Sequence, residues 1–142
     1  MSTYINEKLK KFNNDIKDKR IAIIGMGVSN KPLIDYFYNH GAKVTAFDNR
    51  DKEKIDSDII AKLDNYNMNY YFGENSLEHL IGFDYIFRAP SCRTDTPEIV
   101  KEVERGAILT SEIEKVLELA PCKVVGVTGS DGKTTTTTLI YK

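Results

Sequence analysis

The chain has 142 residues, 41% hydrophobic and 29% charged, which suffices for one α/β domain with a real core and a piece of a second. A formal charge of −1 offers no electrostatic footprint for nucleic acid, and the polar opening MSTYINEKLKKFNND with short apolar runs after it fits neither a signal peptide nor a membrane span. Two cysteines without CxxC spacing, Cys92 and Cys122, argue against a disulfide framework or a zinc site, so a cytoplasmic location is expected; a monomer is expected as well.

Ile5, Leu9, Phe12 and Ile16 recur at helical spacing between lysines and predict an amphipathic helix against the domain's edge. RIAIIGMG is a continuous apolar run ending in glycines, the pattern of a buried parallel strand. SNKPLIDYFYNHG follows as a helix, with Ser29 as its expected N-cap and Gly41 as its stop. KVTAFD is the second strand. Between Arg50 and Asp84 the only assignment is strand packing for the cluster Tyr66, Tyr70 and Tyr71. DYIFRAP, GAILTS and KVVGVTG are further strands, separated by the helices TPEIVKEVERG and SEIEKVLELAP. Strands alternating with helices predict a doubly wound, mostly parallel sheet of the Rossmann-like α/β class.

Two turns carry chemistry. Gly25-Met26-Gly27-Val28-Ser29-Asn30 joins a strand to a helix; there glycines let the backbone approach a diphosphate, which meets the N–H groups of the following helix. The third glycine of GxGxxG is replaced by Asn30, which weakens a nicotinamide reading and predicts a less closely packed helix start. Asp48 lies at the end of the second strand, about twenty residues on, where an acid hydrogen-bonds a ribose or base; Asn49 and Arg50 add an amide and a cation. The second turn is GVTGSDGKTTTTTLI, a glycine-rich loop between a β-branched strand and a run of threonines. In a P-loop the backbone cradles phosphates, the lysine neutralises them and the next hydroxyl holds Mg²⁺. Lys133 and Thr134 fit those two roles, while Val127 stands where the strict pattern has its first glycine.

TGSDGKT resembles the ATP-binding loop of the Mur ligases, TGTNGKT or TGSNGKT. The front of the chain is most similar to the branch that adds D-glutamate, the MurD branch: GMGVSN matches its GLGxSG turn, Asp48 to Arg50 its acidic uracil loop, Ala89-Pro90-Ser91 its SPG turn, and GAILTSEIE the strand before its central domain. Ser91 and Asp131 depart from that pattern, standing where the branch has glycine and often has asparagine.

The resemblance implies an ATP-dependent amide ligase of peptidoglycan synthesis, and so of cell-wall biogenesis, cell shape and cell division. ATP and Mg²⁺ would phosphorylate the carboxylate of UDP-N-acetylmuramoyl-L-alanine, and D-glutamate would attack the acyl phosphate. Residues 1–110 would form the UDP-substrate-binding domain and 111–142 the start of a P-loop ATPase domain, with Pro121 the only punctuation nearby. Gly25, Gly27, Val28, Ser29, Asp48, Asn49, Arg50, Pro90 and Ser91 would hold the UDP-substrate. Thr128, Gly129, Ser130, Asp131, Gly132, Lys133, Thr134 and Thr135 would hold ATP, with Lys133 catalytic and Thr134 on the metal. By itself the chain would bind UDP-substrate without completing the reaction. The alternatives are another Mur ligase, a folylpolyglutamate synthase-like ligase, or an NAD(P)-binding oxidoreductase. His40 and His79 read as surface or capping histidines and Cys92 as an ordinary reduced thiol near the SPG-like turn.

Overall fold

The structure, a computed structural model, describes residues 6–27 and 30–120. In chain order it runs α1 (Glu7–Asp15), β1 (Arg20–Ile24), α2 (Lys31–Asn39), β2 (Lys43–Asp48), a 3-10 turn (Lys52–Lys54), α3 (Ser57–Asn65), β3 (Asn69–Phe72), a second 3-10 turn (Ser76–His79), β4 (Tyr85–Arg88), α4 (Pro97–Arg105), β5 (Ile108–Thr110) and α5 (Glu112–Leu119). The five strands lie side by side in the order β3-β2-β1-β4-β5, every pair parallel. This is the doubly wound arrangement, in which the chain reverses its direction of winding at β1 and opens a crevice beyond the carboxyl ends of the strands.

Side-chain alternation along the central strands divides the core into two layers. Ile21 and Ile23 of β1 face Phe12 and Ile16 from the first helical segment, Ile34 and Phe37 of α2, and Ile59 and Leu63 of α3. Ala22 and Ile24 face the other way, onto Leu80, Phe83, Ile99 and Ala107. Because both faces are covered, β1 is buried at four consecutive positions, which is why RIAII reads as a continuous apolar run rather than an alternating one.

Local signals fix the helix ends. Asn6 Oδ1 accepts from Leu9 N–H at 3.1 Å and Ser111 Oγ from Glu114 N–H at 3.3 Å, each satisfying an otherwise orphaned donor. Pro97 opens α4, and Gly106, at φ +122°, closes it by donating to the carbonyls of Glu102 and Val103.

Three local expectations change. The N-cap of α2 is Asn30 rather than Ser29, because the helix begins at Lys31. Tyr66 caps α3 instead of lying in a strand; its ring stacks on Tyr38 at 3.8 Å and its hydroxyl donates to Asp35 at 2.6 Å, tying α3 to α2. Tyr70 and Tyr71 do lie in β3, and α3 itself has no counterpart among the elements expected from sequence. The strand expected at KVVGVTG lies outside the described residues.

The segment after β5 stays with this fold. Lys115 of α5 is buried with its ammonium 5.0 Å from the Phe12 ring and 5.7 Å from that of Tyr85, a cation–π arrangement, and Asn6 Nδ2 donates to Leu119 carbonyl at 2.9 Å. Thus α5 packs on α1 on the same face of the sheet.

Candidate functional site

A cleft of about 650 Å³ opens at the carboxyl ends of β1, β2 and β4. Gly25 and Gly27, Asp48, Asn49, Arg50 and Ser91 line it, so the topology brings together six residues separated by up to 66 positions in sequence. Pro90 is exposed and not among the lining residues. Val28, Ser29 and the whole P-loop, including Thr128, Gly129, Ser130, Asp131, Gly132, Lys133, Thr134 and Thr135, lie outside the described residues.

The glycine turn is built by close packing. Gly25 has φ +95°, and a Cβ placed on it would come within 2.7 Å of Ala89 Cβ. The same approach is visible in the ladder, where Gly25 N–H donates to Phe47 carbonyl at 2.7 Å and Ala89 N–H to Ile24 carbonyl at 2.9 Å. Only glycine meets both demands. Gly27 is different: a Cβ there would meet nothing within 4 Å, so its lack of a side chain leaves open space facing the cleft rather than solving a packing problem.

Asn30 overturns the expectation of a loosened helix start. It is fully buried, and its Nδ2 donates to the carbonyls of Ile24 at 2.9 Å and Gly25 at 3.0 Å. A side-chain amide thus satisfies acceptors at the end of β1 and ties the first turn of α2 to that strand. Its Oδ1 has no partner among the described residues.

Asp48 is 4% exposed. Its Oδ2 accepts from Met26 N–H at 2.8 Å and Arg50 Nη2 at 2.9 Å; its Oδ1 accepts from Arg50 N–H at 2.8 Å and Arg50 Nε at 3.0 Å. Burial by itself would raise the carboxyl's pKa, but the hydrogen bonds from Arg50 and Met26 and the guanidinium charge outweigh it and hold the pKa below the usual carboxylate range. The carboxylate therefore pins the glycine turn to the end of β2 and folds Arg50 back onto it. Arg50 remains about half exposed, and Asn49 beside it is exposed.

Sequence reasoning missed Glu74, Ser76, Leu77, Arg93 and Thr96, which also line the cleft. Glu74, Ser76 and Leu77 follow β3, and the available signal was Gly73 after the tyrosines: it has φ +111° and marks a strand ending at the same rim. Cys92 also lines the cleft; burial raises its thiol's pKa, which favours the thiol over the thiolate. His40 caps α2, its Nδ1 2.7 Å from Tyr36 carbonyl, and His79 stacks on Tyr71 at 4.0 Å; neither lines the cleft.

A second groove, of about 520 Å³, lies between α1, α2 and α5 and is lined largely by apolar side chains such as Leu9, Leu33, Val116 and Leu119. No glycine turn borders it, and its charged lining residues are Glu112 and Lys115, so it suits a phosphorylated ligand less well than the first cleft.

Residues 19–111 match the model of the Mur ligase MurD-like N-terminal domain. The chain belongs to this family. The MurD-like chain is 52% identical over 138 residues to the UDP-N-acetylmuramoylalanine–D-glutamate ligase of Ruminiclostridium cellulolyticum, a match covering 97% of the chain and 30% of that protein. It is 49% identical over 138 residues to the enzyme of the same name from Clostridium botulinum strain Hall, with the same coverage of each chain. The MurD-like chain thus spans about 30% of the length of these curated relatives.

Among solved structures it is similar to a dipicolinate synthase from Bacillus halodurans, with a TM-score of 0.55 and 17% identity, covering 89% of the MurD-like chain and 46% of the other. It is also similar to a Listeria monocytogenes shikimate 5-dehydrogenase solved with shikimate and NAD, with a TM-score of 0.50 and 15% identity, covering 80% and 52%. At such identities the likeness shows the Rossmann-like fold alone, and the choice of ligand rests on family and site.

Proposed function

We propose that this chain is the UDP-substrate-binding part of an ATP-dependent ligase that joins D-glutamate to UDP-N-acetylmuramoyl-L-alanine. The observation that carries the reading is the Gly25-Met26-Gly27 turn, held by the Asp48 carboxylate at the mouth of the switch-point cleft, in a chain of the MurD-like family. The names of the relatives favour this reading over another Mur ligase or a folylpolyglutamate synthase-like ligase, and family membership disfavours an oxidoreductase.

In this reading the diphosphate of the substrate lies against the open face of Gly27 and the N-terminus of α2. Gly27 N–H has no partner among the described residues, and the aligned peptide dipoles of a helix start favour an anion. Val28 and Ser29 would add their own amides. Asn49 and Arg50 offer an amide and a cation to the uridine, and Ser91 borders the substrate from the β4 side. Asp48 acts through the backbone it holds. The binding energy positions the substrate carboxylate for a phosphoryl group delivered elsewhere in the protein.

ATP and Mg²⁺ belong to the proposal for the whole protein, with Lys133 and Thr134 as their phosphate and metal contacts; bound there, they would supply the phosphoryl group and neutralise its charge. A boundary near residue 110 between a UDP-substrate-binding unit and a P-loop unit is part of the same proposal, with α5 packed on the first. None of the helices among the described residues is long and apolar enough to cross a membrane.

The test is a titration of the chain with UDP, UDP-N-acetylmuramoyl-L-alanine and NAD, followed by calorimetry and amide NMR. Saturable binding of the two uridine nucleotides with perturbation of Gly27 and Arg50 amides is expected, and tighter binding of NAD than of UDP would overturn the reading. For the ligase, the protein translated from the whole gene should form ADP only when both D-glutamate and the UDP-substrate are present.

A further inference from the structure

We propose that Arg50 sets the nucleotide specificity of the cleft by withholding the Asp48 carboxylate from ribose hydroxyls. The inference rests on the uridine-nucleotide reading above and says how a Rossmann-like cleft refuses the commoner dinucleotide. In dinucleotide-binding folds the acid at the end of the second strand is the acceptor for the ribose hydroxyl of NAD. Asp48 stands at that position, at the end of β2.

The acceptor capacity of this carboxylate is used up. Two oxygens with two lone pairs each provide four acceptor sites, and four N–H groups occupy them at 2.8–3.0 Å: Met26 N, Arg50 N, Arg50 Nε and Arg50 Nη2. Three of the four come from Arg50. The guanidinium grips the carboxylate with Nε on one oxygen and Nη2 on the other, the bidentate geometry that makes such pairs strong and directional. Arg50 Nη2 also lies 3.4 Å from Met26 carbonyl, which keeps the side chain over the turn.

A ribose diol entering here must displace charge-assisted hydrogen bonds to donate its own neutral ones, an unfavourable exchange. The half-exposed guanidinium and Asn49 instead present donors to the cleft, suited to a ligand that brings carbonyl or phosphate acceptors. Lysine at position 50 would supply charge without the fork.

The experiment measures NAD, NADP and UDP binding to the full chain and to Arg50→Ala, Arg50→Gln and the double variant Asp48→Asn/Arg50→Ala, by amide NMR titration with thermal unfolding as the check on folding. Freed of its clamp, Asp48 should raise NAD affinity at least about tenfold in Arg50→Ala, with a smaller rise in Arg50→Gln, and the rise should vanish in the double variant. An unchanged NAD affinity in both single variants overturns the proposal. So does an equal rise in the double variant, which would mean that removing bulk sufficed. Wild-type binding of NADP through Arg50 would overturn it too, since an arginine at this place can serve a 2′-phosphate. Failure of the wild-type chain to bind UDP would count against the proposed function, while the comparison of NAD across the variants still decides this inference.

Discussion

Alanine at Gly25 should destabilise the fold by about 2–5 kcal/mol, from two separable sources. Gly25 has φ +95°, and forcing an L side chain into that region costs about 1–2 kcal/mol. The added methyl would meet Ala89 Cβ at 2.7 Å, far inside the ordinary carbon–carbon contact of about 3.5–4.0 Å. Ala89 cannot retreat alone, because its N–H is bound to Ile24 carbonyl in the ladder, so an overpacking cost of about 1–3 kcal/mol follows. With a mid-range urea m-value of about 2 kcal/mol per molar, the denaturation midpoint should fall by about 1–2.5 M. The sources can be told apart by Ala89→Gly. In the wild-type background it should cost about 1 kcal/mol; in the Gly25→Ala background relief of the steric part should offset or exceed that cost, giving a coupling of about 1–3 kcal/mol. Equilibrium urea unfolding of the wild type and the three variants is the assay. A Gly25→Ala midpoint equal to wild type, or no coupling to position 89, would refute the reasoning.

Gly27→Ala should leave the urea midpoint within about 0.5 kcal/mol of wild type, since its Cβ would point into open space, yet weaken UDP binding; comparable losses of stability at Gly25 and Gly27 would contradict this. Asn30→Ala should cost about 1–3 kcal/mol by stranding the buried carbonyl of Ile24 and the part-buried one of Gly25, and a neutral result in thermal unfolding would show that those bonds do not hold the turn. Asp48 and Glu102 are buried acids whose hydrogen bonds and arginine partners outweigh burial and lower their pKa values. A depressed folded-state pKa gives stabilisation that is complete above the unfolded value of about 4 and is lost as pH falls through the folded one, so unfolding free energy should decline from pH 5 towards pH 2 and decline less steeply in Glu102→Gln. A flat profile across that window would be the contrary result.

The elements legible in the sequence were those whose signal is local. RIAII announces a strand buried on both faces because every residue after Arg20 is apolar, and the helices around Leu33 and Ile99 carry their own proline starts and glycine stops. The glycine turn and Asp48 were visible as types at a spacing, and the family resemblance was carried by those same short motifs. The segment holding α3 and β3 was less legible: Tyr66, Tyr70 and Tyr71 look alike in sequence, but one ends a helix by stacking on Tyr38 of α2 while the others enter the sheet, a division set by a neighbour 28 positions away.

What only the tertiary structure decided is the work done by polar side chains at the site. Asn30 stands in sequence as a missing glycine; folded, it spans the end of β1 with two hydrogen bonds. Asp48 stands as a ligand-facing acid; folded, its lone pairs are filled by Met26 and Arg50. Residue type and spacing tell where a functional group can be, because they follow from the geometry of strand, turn and helix. Whether that group is available to a ligand depends on which donors the rest of the chain brings to it, and for Asp48 one of those donors comes from Met26, on another strand's end, 22 positions away.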